Sequence, residues 1–124
     1  MAFVKNPVPG VLAANIFEDV AANATGQDNL LGGTGTLYMA RIDNSANSAE
    51  TVYLKMYDIA NPTIGTSRPI VILPCPASST RQYNWPDGVV FTSYVSYAVV
   101  KTAGLQGSTS DNPSGVVKVY LATS

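Results

Sequence analysis

Eight carboxylates, one thiol and no histidine are what this chain offers for acid, base or nucleophilic chemistry. Without an imidazole, the usual general base and the commonest metal ligand are both missing. The acids are Glu18, Asp19, Asp28, Asp43, Glu50, Asp58, Asp87 and Asp111. Two carboxylates suffice for glycoside hydrolysis when they face each other across a cleft at about 5–10 Å. Most of these acids, however, fall at the ends of alternating runs or in turns, where Asp accepts hydrogen bonds from its own backbone. Asp43, Asp58 and Asp87 could converge on a cation, yet their spacing lacks the D-x-[DN]-x-[DN]-G pattern of a calcium loop. They read as turn residues. Cys75 stands between Pro74 and Pro76, and with no histidine to activate it the reading is a small buried thiol. A single cysteine forms no intrachain disulfide. The glycine run Gly32-Gly33-Thr34-Gly35 has neither a lysine nor a helical pattern after it, so it is no phosphate loop. The residues read as those of a protein that is not an enzyme, with no metal or cofactor implied.

Composition narrows the classes further. At 124 residues the chain is one domain, long enough to bury roughly two-thirds of its unfolded surface. Apolar residues make up 46% and charged residues only 12%, about half the usual charged share. The surface is therefore built largely from Ser, Thr, Asn, Gly and Tyr, which repels its own kind weakly. The net charge of −1, with no Lys/Arg block, leaves no electrostatic footprint for nucleic acid or an anionic membrane. No window approaches the ~20 apolar residues of a membrane helix. The first twenty residues hold one lysine and no long apolar run, the pattern of neither a signal peptide nor an anchor.

The elements that must position these residues are organised around residues 36–58. Residues 36–43 and 51–58 are alternating runs flanking a polar loop, 44–50, and together they read as a long antiparallel hairpin. In the second run Val52, Leu54 and Met56 point one way and Tyr53, Lys55 and Tyr57 the other, the period of two of a half-buried strand. Residues 15–21 fit a strand better than a helical turn: Ile16, Glu18 and Val20 share one parity, Phe17 and Asp19 the other. Residues 23–35 have loop composition. The β-branched run 68–74 is bounded by prolines, as expected of a strand buried on both faces or of an edge strand protected by Pro69 and Pro74. Residues 78–85 alternate, Pro86-Asp87-Gly88 is the strongest turn signal, and residues 89–91, 93–101 and 115–123 supply further strand patterns. Residues 103–114 read as a long exposed loop. Seven or eight strands with frequent turns and no amphipathic helix predict an all-β fold, an antiparallel sandwich over residues 15–124. Ahead of it, residues 1–14 carry Pro7, Pro9 and Gly10 among the apolar Phe3, Val4, Val8, Val11 and Leu12. That is an extended arm, lying either on its own domain or on a neighbour.

Five phrases then matter as a set: Ile42-Asp43-Asn44-Ser45-Ala46-Asn47; Val52-Tyr53-Leu54-Lys55-Met56-Tyr57-Asp58; Asn61-Pro62-Thr63-Ile64-Gly65-Thr66; Pro86-Asp87-Gly88; and Ser96-Tyr97-Ala98-Val99-Val100. With them the chain resembles, over roughly residues 34–122, the small β-rich virion proteins of tailed bacteriophages, especially those of cyanobacteria and aquatic bacteria. The resemblance implies a capsid decoration (cement) protein or another small virion component, with a jelly-roll-like or alternatively immunoglobulin-like sandwich. It also implies assembly as a homo-oligomer, commonly a trimer, and a terminal extension that grips the shell. The expected partner is the major capsid protein and the expected place the capsid exterior. Phe3, Val4, Val8, Val11 and Leu12 would be the capsid contacts. Tyr53, Lys55 and Tyr57, two aromatics and one charge on the face opposite the core, are the candidate subunit contacts. No catalytic residue travels with the resemblance. The competing expectation is a tail-fibre or carbohydrate-binding module that stacks sugars on Tyr53, Tyr57, Tyr94, Tyr97 and Trp85.

Overall fold

The computed structural model describes residues 15–104 and 111–124, and everything below concerns those residues. They form seven strands and no helix: β1 (Asn15–Asp19), β2 (Gly35–Asp43), β3 (Val52–Tyr57), β4 (Val71–Cys75), β5 (Thr80–Phe91), β6 (Ser96–Val100) and β7 (Lys118–Thr123). No helix of the described residues is therefore long and apolar enough to cross a membrane. All pairings are antiparallel, in one sheet ordered β1-β7-β2-β5 and another ordered β4-β3-β6. The expected all-β sandwich is what the chain adopts.

Its core follows from the alternation. Leu37, Ala40 and Ile42 of β2 and Val119 and Leu121 of β7 meet Val52, Leu54 and Met56 of β3 and Val99 of β6 in one buried cluster. Each of these side chains gains roughly 1–3 kcal/mol from leaving water, and the facing sheets supply the cover that one strand lacks. Val52, Leu54 and Met56 do form the core face of their strand, each fully buried.

The long hairpin is not formed. β2 pairs with β5 and β7, β3 with β4 and β6, so residues 44–50 carry the chain from one sheet to the other. Asn44 anchors this crossover: its buried Nδ2 donates to the carbonyls of Glu50, Cys75 and Pro76 at 3.0–3.2 Å. Pro86-Asp87-Gly88 also departs from expectation. Instead of reversing the chain it lies inside β5, where Asn84 faces Met39 and Val89 faces Leu37. Residues 85–88 thus oppose Tyr38 alone, a bulge that adds twist and kink to the strand. Gly88 holds φ +80°, and a Cβ there would run into Thr36 and Tyr38.

The proline-bounded run resolves to its second alternative. β4 is the edge of its sheet, and exposed Pro74, which has no amide hydrogen, sits opposite Tyr53. The opposite edge, β6, is closed by residues 23–30, which run alongside as a strap. Gln27 and Tyr97 exchange both backbone hydrogen bonds at 2.8 and 3.0 Å, and Val99 N–H donates to Asn23 O and Leu30 N–H to Val95 O.

Candidate functional site

Tyr53, Lys55 and Tyr57 lie, as their parity requires, on the face of β3 turned away from the main core. That face is not an open seam within the protomer. Tyr57 is 0% and Lys55 1% exposed, and only Tyr53 keeps a half-buried position. A second apolar cluster covers the sheet: Ala24 from the strap and Ile64 from the 59–70 loop pack with Tyr57, Ala98 and Val100. The strap is pinned there by Ala24 N–H donating to Asn112 Oδ1 at 2.9 Å. As subunit contacts Lys55 and Tyr57 are therefore corrected to interior residues. Tyr and Lys have long apolar bodies, which is why an alternating Tyr-x-Lys-x-Tyr pattern fits a covered face as well as a wet one. Burial lowers the Lys55 ammonium pKa, opposed by the Asp111 carboxylate, and raises the Tyr57 phenol. The five arm residues Phe3, Val4, Val8, Val11 and Leu12 lie outside the described residues.

The acids serve loops. Asp58, at the end of β3, holds the 92–94 turn: Oδ2 accepts from Thr92 N–H and Oγ at 2.9 Å, and Oδ1 from Ser93 and Tyr94 N–H at 2.8 and 3.0 Å. Burial pushes this carboxyl up, but the hydrogen bonds outweigh it and hold it below the ordinary value. Asp43 accepts from Ser45 and Thr80, chiefly Ser45, and is likewise lowered. Glu50 accepts from the Ser114 hydroxyl at 2.6 Å and its N–H at 3.2 Å, with the hydroxyl the larger cause of a lowered pKa. Asp19 ties the two sheets together at one flank, taking the Tyr97 hydroxyl at 2.6 Å and Ala21 N–H at 3.1 Å. Asp43, Asp58 and Asp87 stand on different strand ends and in the β5 bulge. Among the described residues no three metal-ligating side chains gather. The Cys75 thiol is buried, contacts the carbonyls of Ile42 and Ser79, and has its pKa raised by that burial.

The aromatic side chains do not make a sugar platform together. Tyr97 faces the main core, Tyr57 the second cluster, and Trp85 stacks on Tyr83 with ring centroids 6.4 Å apart, both packed against the core. A shallow groove of about 340 Å³ runs past Phe17, Gln27, Leu30 and Tyr97, and its Asp19 is already engaged by the two bonds above.

One broad face remains open. The outer side of β1-β7-β2-β5 presents Ile16 (78% exposed), Val90 (63%), Val20 (56%) and Val116 (52%), four of the six exposed large apolar side chains of the described residues. Between them lie Tyr120, over which the Arg41 guanidinium sits at 5.6 Å, and half-buried Met39. The shared parity of Ile16 and Val20 was visible in the sequence. Which parity faced water was not, because that depends on Phe17 packing toward Leu121 across the sheet. In comparison with known proteins, the chain matches no protein-family model and no curated protein.

Proposed function

We propose that this chain is a structural protein of a tailed-phage virion, of the capsid decoration (cement) kind, which self-associates and binds major capsid subunits on the capsid exterior. The observation that carries the reading is where the five resembling phrases fall. Residues 42–47 form the crossover with its buried Asn44 and Asn47; residues 52–58 are β3 and the Asp58 turn clamp; residues 61–66 hold Ile64 over the sheet; residues 86–88 are the β5 bulge; residues 96–100 are β6. The likeness is thus a likeness of frame, each phrase placing an interior or a turn. The strand order supports the jelly-roll-like variant: the last strand lies between β1 and β2, whereas an immunoglobulin pattern sets it beside the strand corresponding to β6. The strap stands where an eighth strand would add to β6.

In this reading the arm, through Phe3, Val4, Val8, Val11 and Leu12, grips the shell, and a homo-oligomer, a trimer in the resembling proteins, presents several arms at once. Weak single contacts then add as avidity. The test is co-sedimentation with capsid shells lacking this protein. The full chain pellets with the shells and a chain without residues 1–14 stays in the supernatant; undiminished binding of the shortened chain refutes the grip. The carbohydrate-binding alternative is weakened by the dispersal of Tyr57, Tyr97 and Trp85 among separate packing sites.

A further inference from the structure

We propose that residues 23–25 of the strap and residues 111–115 form a cover that opens as one unit from the sheet β4-β3-β6 while the main core stays closed, with Glu50 as its latch. The inference stands apart from the virion reading. The two pieces are joined to each other by Ala24 N–H donating to Asn112 Oδ1 at 2.9 Å. They hinge at fixed points. Ala22 N–H donates to Val117 O at 2.9 Å, and both of these residues belong to the main core. Farther along the strap, Gln27 is held to Tyr97 by its two backbone bonds. Between the hinges the described contacts with the sheet are few: Val99 N–H to Asn23 O at 3.0 Å, Lys101 N–H to Asp111 O at 3.3 Å, and the packing of Ala24. Of the cover's side chains only Ala24 joins the apolar cluster over the sheet, so burial holds it down by little more than one methyl group.

What lies beneath resists being covered. Lys55 is buried at a cost to its ammonium form, with the Asp111 carboxylate of the cover as an opposing charge. The Tyr57 hydroxyl is buried with no hydrogen-bond partner among the described residues. Polar groups held away from water in this way favour the open state. The latch offsets them. Glu50 Oε1 accepts from the Ser114 hydroxyl at 2.6 Å and from its N–H at 3.2 Å, the charge-assisted bonds of the cover. Glu50 is itself fixed to the frame, since its carbonyl accepts from Asn44 Nδ2 at 3.1 Å. Beside it Gly115 lies so close to the crossover that a Cβ would stand 2.9 Å from Asn47 Cα, so the cover seats against the 44–50 loop at the point where Glu50 holds it.

The experiment is labelling of Lys55 by acetic anhydride and of Cys75 by a disulfide reagent in the full chain, each site located by peptide mass and each rate divided by its rate in urea. Lys55 lies under the cover and Cys75 in the main core, so the two report local and global opening separately. Glu50→Ala and Ser114→Ala should each raise the Lys55 rate about tenfold, the effect of losing a charge-assisted hydrogen bond, and leave the Cys75 rate within about twofold of the native one. Circular dichroism and thermal melts establish that the variants are folded, and Ser114→Ala, the milder change, decides alone if Glu50→Ala does not fold. A Lys55 rate that rises less than about threefold overturns the proposal, because the bond then holds nothing closed. A Cys75 rate that rises in step with that of Lys55 overturns it too, because the whole sandwich would then be opening.

Discussion

Removing the Asp58 carboxylate should loosen the molecule by an amount that depends on pH. Asp58→Ala deletes the acceptor for three backbone N–H groups and the Thr92 hydroxyl. A hydrogen bond to a charged group contributes about 1.5–3 kcal/mol when well shielded, but this site is partly open to water, which takes over some of the freed donors. The four bonds share one acceptor and are not additive, so the expected loss is about 2–3 kcal/mol in total. With a urea slope of about 1.5 kcal/mol/M, the unfolding midpoint should fall by about 1–2 M. Asp58→Asn keeps an oxygen for Ser93 and Tyr94 and sets an amide against Thr92, so it should lose about half as much. The folded-state pKa of Asp58 is depressed, so its stabilisation is complete above the unfolded value near 4 and is lost as pH falls through the folded one. The gap between native chain and Asp58→Asn should therefore be full at pH 7 and shrink toward pH 2. Trp85, the single tryptophan, reports unfolding by fluorescence because it is stacked on Tyr83. A loss below about 0.5 kcal/mol for Asp58→Ala at pH 7, or a gap that does not change with pH, would refute the clamp.

Leu54→Ala, at the centre of β3 opposite Leu73 and Val99, should cost about 2–5 kcal/mol in a chemical denaturation series, and a cost under about 1 would mean its face is not core. Gly88→Ala should lower the melting temperature by several degrees, with a cost of about 1–3 kcal/mol, because its φ of +80° and the neighbouring Thr36 and Tyr38 both resist a Cβ. The Cys75 thiol should react with a disulfide reagent at least about a hundredfold more slowly in the folded chain than in urea, since it is buried and its pKa raised; fast labelling of folded protein would contradict that burial.

Period-two alternation correctly marks faces in this chain. Val52, Leu54 and Met56 pack inward, and Asn15–Asp19 becomes a strand despite its short mixed sequence. Alternation carries no information about which strand lies alongside. Two runs joined by seven residues look the same whether the loop folds back within a sheet or crosses to the opposite one; here the decision lies with the Asn44 bonds to Cys75 and Pro76, some thirty residues away. Pro86-Asp87-Gly88 is likewise turn chemistry used within a strand, where the distant partner β2 absorbs the extra residues as a bulge. The same limit hid the candidate surface. Lys55 and Tyr57 look exposed but are buried beneath the cluster that the strap and Ile64 complete, and the shared parity of Ile16 and Val20 does not say which side faces water until Phe17 takes the core side.

The proposed role as a component of a virion shell is open to one decisive measurement, reconstruction of purified particles of a tailed phage whose genome carries this sequence. The expected result is density for a seven-stranded sandwich on the capsid exterior, repeated with the symmetry of the shell and contacting major capsid subunits. Particles whose peptide composition lacks this chain, or whose shells carry no such density, would contradict it.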